Sequence, residues 1–298
     1  MFIQVHFLEF LPNNLRGGRC DAIMSYVMEI GISTASYFTR HFTEDCLVPI
    51  AQAGADVCEV FFATHSEYTP AFGEIMLQKL EEARKFSPLQ IHSVHALTNQ
   101  FEPELYSVNT RSLADAMQTY RNVLAIAKQV GAKYYTFHGA TMLKRAVRYQ
   151  LDYDRIAGCV NRLCDTAAEY GVQLCYENVH WAYFCTPEFF THLRDKCPAL
   201  GTVLDIKQAH QSGYDYAEYL QVMSDRLRTV HLCDIDSEGQ VALPGKGILD
   251  FVTLFRRLAD MGYQGPCMME VYAKNYRSFD ELNQSYLYLK DCLDRALQ

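Results

Sequence analysis

Eight times in succession this chain sets a short apolar run ahead of a segment with helical periodicity, and few folds accommodate that alternation. The runs are Tyr26–Thr34, Asp56–Ala63, Leu89–Ala96, Lys133–His138, Val172–Asn178, Thr202–Ile206, Leu227–Asp234 and Pro266–Tyr272. The helical segments between and after them are Thr43–Ala53, Phe72–Phe86, Ser112–Val130, Tyr153–Tyr170, Pro187–Lys196, Tyr216–Ser224, Leu249–Met261 and Phe279–Leu297. Gly54, Gly131, Gly171 and Gly262 stand where helices give way to strands, as expected of a residue that enters the left-handed region freely. Continuous apolar strands suit a parallel sheet covered on both faces. Strands alternating with helices imply right-handed βαβ units.

Eight such units predict one domain, an α/β (β/α)8 barrel of the TIM type over residues 26–298. The chain has 298 residues, close to the roughly 250 that such a barrel uses. An open doubly wound sheet is the competitor, but the first strand is followed by Ser-Thr-Ala-Ser and not by a glycine-rich phosphate turn. No linker or low-complexity tract divides the chain.

Hydrophobic residues make up 49%, enough for a large core, and the net charge of −8 argues against a general nucleic-acid or membrane-surface partner. The 11 cysteines form no Cys-x-x-Cys pair, and several lie inside apolar runs. That usage predicts a reduced, cytoplasmic protein. Residues 1–25 read as an N-terminal extension outside the repeat. Its apolar start lacks a basic region and a cleavage site, so it is not read as a signal peptide. A start assigned upstream of Met24 or Met28, a tag and a true extension all remain open.

In an α/β barrel, chemistry collects at the C-terminal ends of the strands. Polar residues fall there six times in a row: His95, His138, Glu177 with Asn178, Asp205, His231 with Asp234, and Glu270. Taken singly, a strand-end histidine is usually a hydrogen-bonded core residue, and the argument rests on the joint pattern. Glu177, Asp205 and Glu270 would crowd like charges together inside an apolar barrel, which is costly without a counter-charge. A divalent cation held by Glu177, Asp205, His231 and Glu270 is the simplest remedy. The oxygen-rich set favours Mn2+, Mg2+ or Co2+, with Zn2+ also compatible. Glu59 in the second run is a weaker candidate for the same centre.

The wording of these motifs, Tyr-Glu177-Asn, Leu-Asp205-Ile-Lys-Gln-Ala, Val-His231-Leu-Cys-Asp, Pro-Gly-Lys246-Gly and Met-Glu270-Val, resembles the xylose-isomerase-like TIM-barrel superfamily over roughly residues 26–295. That resemblance implies the four-residue metal set above and a small sugar-like substrate, with homo-oligomers common among relatives. It also implies a metal-dependent sugar or sugar-phosphate isomerase or epimerase. Glu177 would remove a proton next to a carbonyl and Glu270 would return it, through an enediolate stabilised by the metal. His95, His138 and Gln208 would bind substrate, and Lys246 would meet a phosphate; Lys207 is a second lysine open to that reading.

Two departures narrow the choice. The superfamily's apurinic endonuclease has a histidine where Gln208 stands and needs an Asp-x-His pair absent from Asp236–Gly247. Its ketose 3-epimerases carry a Glu and an Arg where this chain has Tyr183 and Ser237. An inosose-dehydratase-like lyase is therefore the main alternative, and an endonuclease-like hydrolase a weaker one.

Overall fold

The computed structural model describes residues 28–97, 100–141, 151–182 and 186–298. The extension expected at residues 1–25, and Tyr183, lie outside the described residues. Eight parallel strands close into a barrel: β1 (Ile30–Ser33), β2 (Val57–Phe62), β3 (Gln90–Ala96), β4 (Tyr134–Phe137), β5 (Gln173–Glu177), β6 (Gly201–Asp205), β7 (Leu227–Leu232) and β8 (Cys267–Met269). Each strand pairs with its neighbours in the sequence, and β1 closes on β8 through Ile30–Cys267, Gly31–Met268 and Ile32–Met269.

The surrounding helices are α1 (Leu47–Gln52), α2 (Pro70–Ala83), α3 (Thr110–Val130), α4 (Tyr153–Ala168), α5 (Pro187–Lys196), α6 (Ile206–Ser212), α7 (Tyr216–Met223), α8 (Phe251–Asp260) and α9 (Phe279–Leu297). Their starts follow capping chemistry. Asn109, Asp152, Asp215, Asp250 and Ser278 each accept a hydrogen bond from a first-turn amide. Helix α4 shows how the outer layer attaches. Ile156, Val160, Leu163 and Ala167 recur at three- and four-residue spacing and are buried against the barrel. Each of the larger ones contributes roughly 1.5–3 kcal/mol by leaving water.

The eighth strand ends at Met269, short of the expected Tyr272, and two further differences have a local cause. Strand β1 stops at Ser33 because the Ser33 side chain accepts from the Ala35 amide and starts a 3-10 turn at Thr34–Tyr37. Helix α6 lies between the expected sixth strand and the expected helix Tyr216–Ser224; it begins directly at β6 because Asp205 caps it, its Oδ1 accepting from the Gln208 amide at 2.8 Å. Among the described residues no helix is long and apolar enough to cross a membrane.

Candidate metal centre

Seven adjacent strands bring charged or imidazole groups to one end of the barrel. Glu59 comes from β2, His95 from β3, His138 from just beyond β4, Glu177 and Asp205 from the last positions of β5 and β6, His231 from β7, and Glu270 from one residue past β8. The ladder explains the convergence. Asp205 pairs with His231, and His231 pairs with Met268. Glu270 lies two residues beyond Met268 and so faces the same side.

The centre is tight. His231 Nδ1 lies 3.2 Å from Glu177 Oε1, 3.5 Å from Glu270 Oε2 and 4.0 Å from Asp205 Oδ2. One ligand atom from each of Glu177, Asp205 and His231 lies within 4.8 Å of the others. The other imidazole nitrogen, His231 Nε2, stands 3.0 Å from Glu59 Oε1. Glu59 is itself held inside the barrel, its Oε2 accepting from the Ser93 hydroxyl at 2.6 Å and the Thr136 hydroxyl at 2.9 Å. Asn178 ties β5 to β6: its Oδ1 accepts from the Asp205 amide at 2.7 Å and its amide group donates to the Asp205 carbonyl at 2.9 Å.

Burial and charge pull the acids apart in acidity. Burial raises the pKa of Asp205, opposed by Lys207 and reinforced by Glu177 and Glu270, to about 6. Burial acts the same way on Glu177, but the hydrogen bond and charge of His231, with the charge of His138, win and bring it down to about 2. Burial alone would lower the pKa of His231; the charges of Glu59 and Glu270 outweigh it and raise it well above the ordinary value. His138 follows the same balance, with Glu102 the main opponent of burial, and is raised to about 9.

The donor set fits a divalent cation. Among the described residues nine buried side-chain atoms have no hydrogen-bond partner, and five of them belong to this centre. These are Glu59 Oε1, both ring nitrogens of His95, His231 Nε2 and Glu270 Oε2. The Glu59–His231 contact is short but off the line of a hydrogen bond. Such a concentration of unmet acceptors and imidazoles is costly unless something shared satisfies them.

The remaining sequence candidates separate. His95 and His138 join the centre, their ring centroids 5.4 Å apart. Gln208 is buried, but its side-chain oxygen accepts from the His180 amide at 3.1 Å and meets the His180 ring. Lys246 is exposed on the loop after β7. That loop is gathered by Asp234, whose oxygens accept from the amides of Ile235, Gly245, Gly247 and Leu249 at 2.9–3.0 Å. Lys207 turns inward, its ammonium 3.1 Å from Asp205 Oδ2 and 3.5 Å from Glu270 Oε1. Glu102, which nothing in the strand pattern marks, is fully buried beside His138.

A family model described as xylose isomerase-like TIM barrel matches residues 48–292. The chain belongs to that family. The chain is 20% identical over 274 residues to the fructoselysine 3-epimerase of Escherichia coli O157:H7, covering 90% of this chain and 97% of that one. It is 25% identical over 255 residues to the inosose dehydratase of Geobacillus thermodenitrificans, covering 76% and 81%. Among solved structures, the IOLI protein with a bound zinc atom superposes with a TM-score of 0.72 at 17% identity, covering 90% of this chain and 99% of that one.

Proposed function

We propose that the chain is a divalent-metal-dependent isomerase or epimerase of a sugar or related polyol, with Glu177 and Glu270 as its proton-transferring pair. The observation that carries this reading is that both carboxylates reach one imidazole nitrogen, His231 Nδ1, within 3.5 Å, with Asp205 at 4.0 Å. Glu177, Asp205, His231 and Glu270 would hold the ion, which when bound supplies positive charge beside a substrate carbonyl. Glu177 would take a proton from the carbon next to that carbonyl. Glu270 reaches the same His231 nitrogen and is the more open of the two, 13% exposed against 3%. It would return the proton from the other side. His95, His138 and Gln208 line the same end of the barrel and would bind hydroxyls. Lys246 would meet a phosphate, if the substrate carries one.

The relatives named above, an epimerase of a sugar derivative and a dehydratase of an inosose, support a sugar-like substrate. The dehydratase match favours a second reading, a lyase in which the same glutamate removes the proton and water is lost. An endonuclease-like hydrolase has less support, because Gln208 replaces a histidine and is already engaged with His180.

Metal analysis of chelator-free protein, joined to deuterium uptake from solvent into ketohexoses, their phosphates and inososes, tests the proposal. Solvent deuterium at carbon with no loss of water supports epimerisation; loss of water supports the lyase. A Glu177→Gln variant that turns over at the wild-type rate would falsify the assignment.

A further inference from the structure

The geometry points to Glu102 as a positioning residue: it fixes the hydrogen of the His138 imidazole on Nδ1, so that Nε2 alone is offered to a substrate hydroxyl beside Glu177. This rests on the proposed proton-transfer reading. Glu102 opens the 3-10 turn Glu102–Tyr106 between β3 and α3 and is fully buried, yet it lies outside the ring of strand-end acids. Its Oε1 accepts from the Tyr135 hydroxyl at 2.7 Å. Its Oε2 accepts from the His138 amide at 3.1 Å and lies 3.1 Å from His138 Nδ1.

A carboxylate whose two oxygens are already acceptors leaves the ring nitrogen to bring the hydrogen, which sets the tautomer. The other nitrogen, Nε2, is then the atom on the cavity side, 3.2 Å from Glu177 Oε2. The ring is braced further by His95 and by Trp181, with centroids 5.4 and 5.7 Å away.

The backbone enforces the same pose. Gly139 takes a φ of +80°, and a Cβ there would lie 1.7 Å from the Tyr176 hydroxyl, so the turn that swings His138 inward is open only to glycine. Tyr135 and Thr136 divide the work across the strand. Thr136 donates inward to Glu59 while Tyr135 donates outward to Glu102. Strand β4 thus links the inner acid, which faces His231, to the outer acid, which faces His138. Partners of this kind, one bond removed from the reacting groups, typically change activity 10–100-fold when lost.

The test uses metal-loaded protein carrying 15N-labelled histidine. The His138 signals are identified by their disappearance in His138→Gln. Above about pH 9, where the His138 ring is neutral, wild type should show the Nδ1–H form, and Glu102→Ala a mixture of tautomers. Glu102→Gln, which keeps an acceptor, should retain the Nδ1–H form. In deuterium uptake by D-fructose, D-psicose and D-tagatose, Glu102→Ala should lower kcat about 10–100-fold with little change in KM, and Glu102→Gln should recover most of it. Glu102→Ala combined with His138→Gln should cost no more than His138→Gln alone. An unchanged His138 tautomer in Glu102→Ala, or additive losses in the double variant, overturns the inference. Should Glu102→Ala fail to fold, Glu102→Gln carries the test, and loss of the Nδ1–H form in a Glu102→Gln that keeps full kcat overturns it equally. The spectrum needs no substrate, so absence of exchange by wild type on every sugar would sink the sugar reading while leaving the tautomer result standing.

Discussion

His231 is gripped from both sides: Glu59 meets its Nε2 at 3.0 Å while Glu177 meets its Nδ1 at 3.2 Å. A carboxylate behind a metal-facing imidazole orients the ring and raises its basicity. Replacing Glu59 with Gln should therefore weaken binding of Mn2+ or Zn2+ about 10–100-fold, although Glu59 need not touch the ion. Calorimetric titration of the variant against wild type checks this, and an unaltered affinity would remove Glu59 from the centre.

Metal uptake should release protons. Asp205, raised to about 6, and His231, raised well above its ordinary value, must both be deprotonated to serve as ligands. Apparent affinity should climb as pH passes upward through about 6 and continue to climb above it. Titrations in buffers of different ionisation enthalpy count the protons. An affinity flat from about pH 5 to about pH 8 would contradict the assignment.

Metal-free protein should lose stability in alkali. The folded-state value of His138, about 9, exceeds its unfolded value of 6.5. The stabilisation is therefore complete below about 6.5 and vanishes as pH rises through about 9, an effect on the order of 3 kcal/mol. His231 acts in the same direction. Thermal melts of the metal-free chain should fall across that window, and His138→Gln should flatten the fall.

Lys207 is the resident counter-charge of Asp205 and Glu270, buried and 3.1 and 3.5 Å from them. Removing one partner from a buried ion pair costs about 3–5 kcal/mol. Lys207→Met should thus melt well below wild type without metal, and a saturating divalent ion should restore more of its stability than it adds to wild type. Differential scanning calorimetry with and without Mn2+ reads this out, and equal increments in both proteins would argue that lysine and metal do not share carboxylates.

The loop after β7 should fail as a unit when Asp234 is changed. Four amides converge on that carboxylate, and stranding such donors costs about 1–3 kcal/mol each if water does not replace it. A Cβ on Gly247 would stand 2.3 Å from Asp234 Oδ1 and from the Ile235 carbonyl. Asp234→Ala and Gly247→Ala should both lower the melting temperature by several degrees. If Lys246 meets a phosphate, both should also raise KM for phosphorylated sugars more than for free ones.

Much of the architecture could be read from the amino acids because both signals behind it are local. Helices α5 and α9 run over the expected residues, Pro187–Lys196 and Phe279–Leu297, since a proline at the first turn and a capping serine mark where each begins. The strand-end acids and histidines stood out because charge is rare in an apolar run. Glu102 did not stand out. It sits in a turn whose sequence resembles any polar loop, and only closure of β4 beside α3 buries it. Asp205 was recognised as an acid, but its second task as the cap of α6 depends on side-chain direction, which spacing does not encode. The inward turn of Lys207 was hidden for the same reason.

Each group of the centre belongs to its own stave: β2 through β8 contribute one apiece, and of the four that would hold the ion Glu177, Asp205 and His231 lie within strands while Glu270 stands one residue past β8. The hub is therefore written in the wall of the cylinder, and the rim above it is free to be rewritten. Lengthening or exchanging a loop would retune what is admitted without disturbing the groups that act on it, so descendants of this scaffold can change cargo faster than they change chemistry.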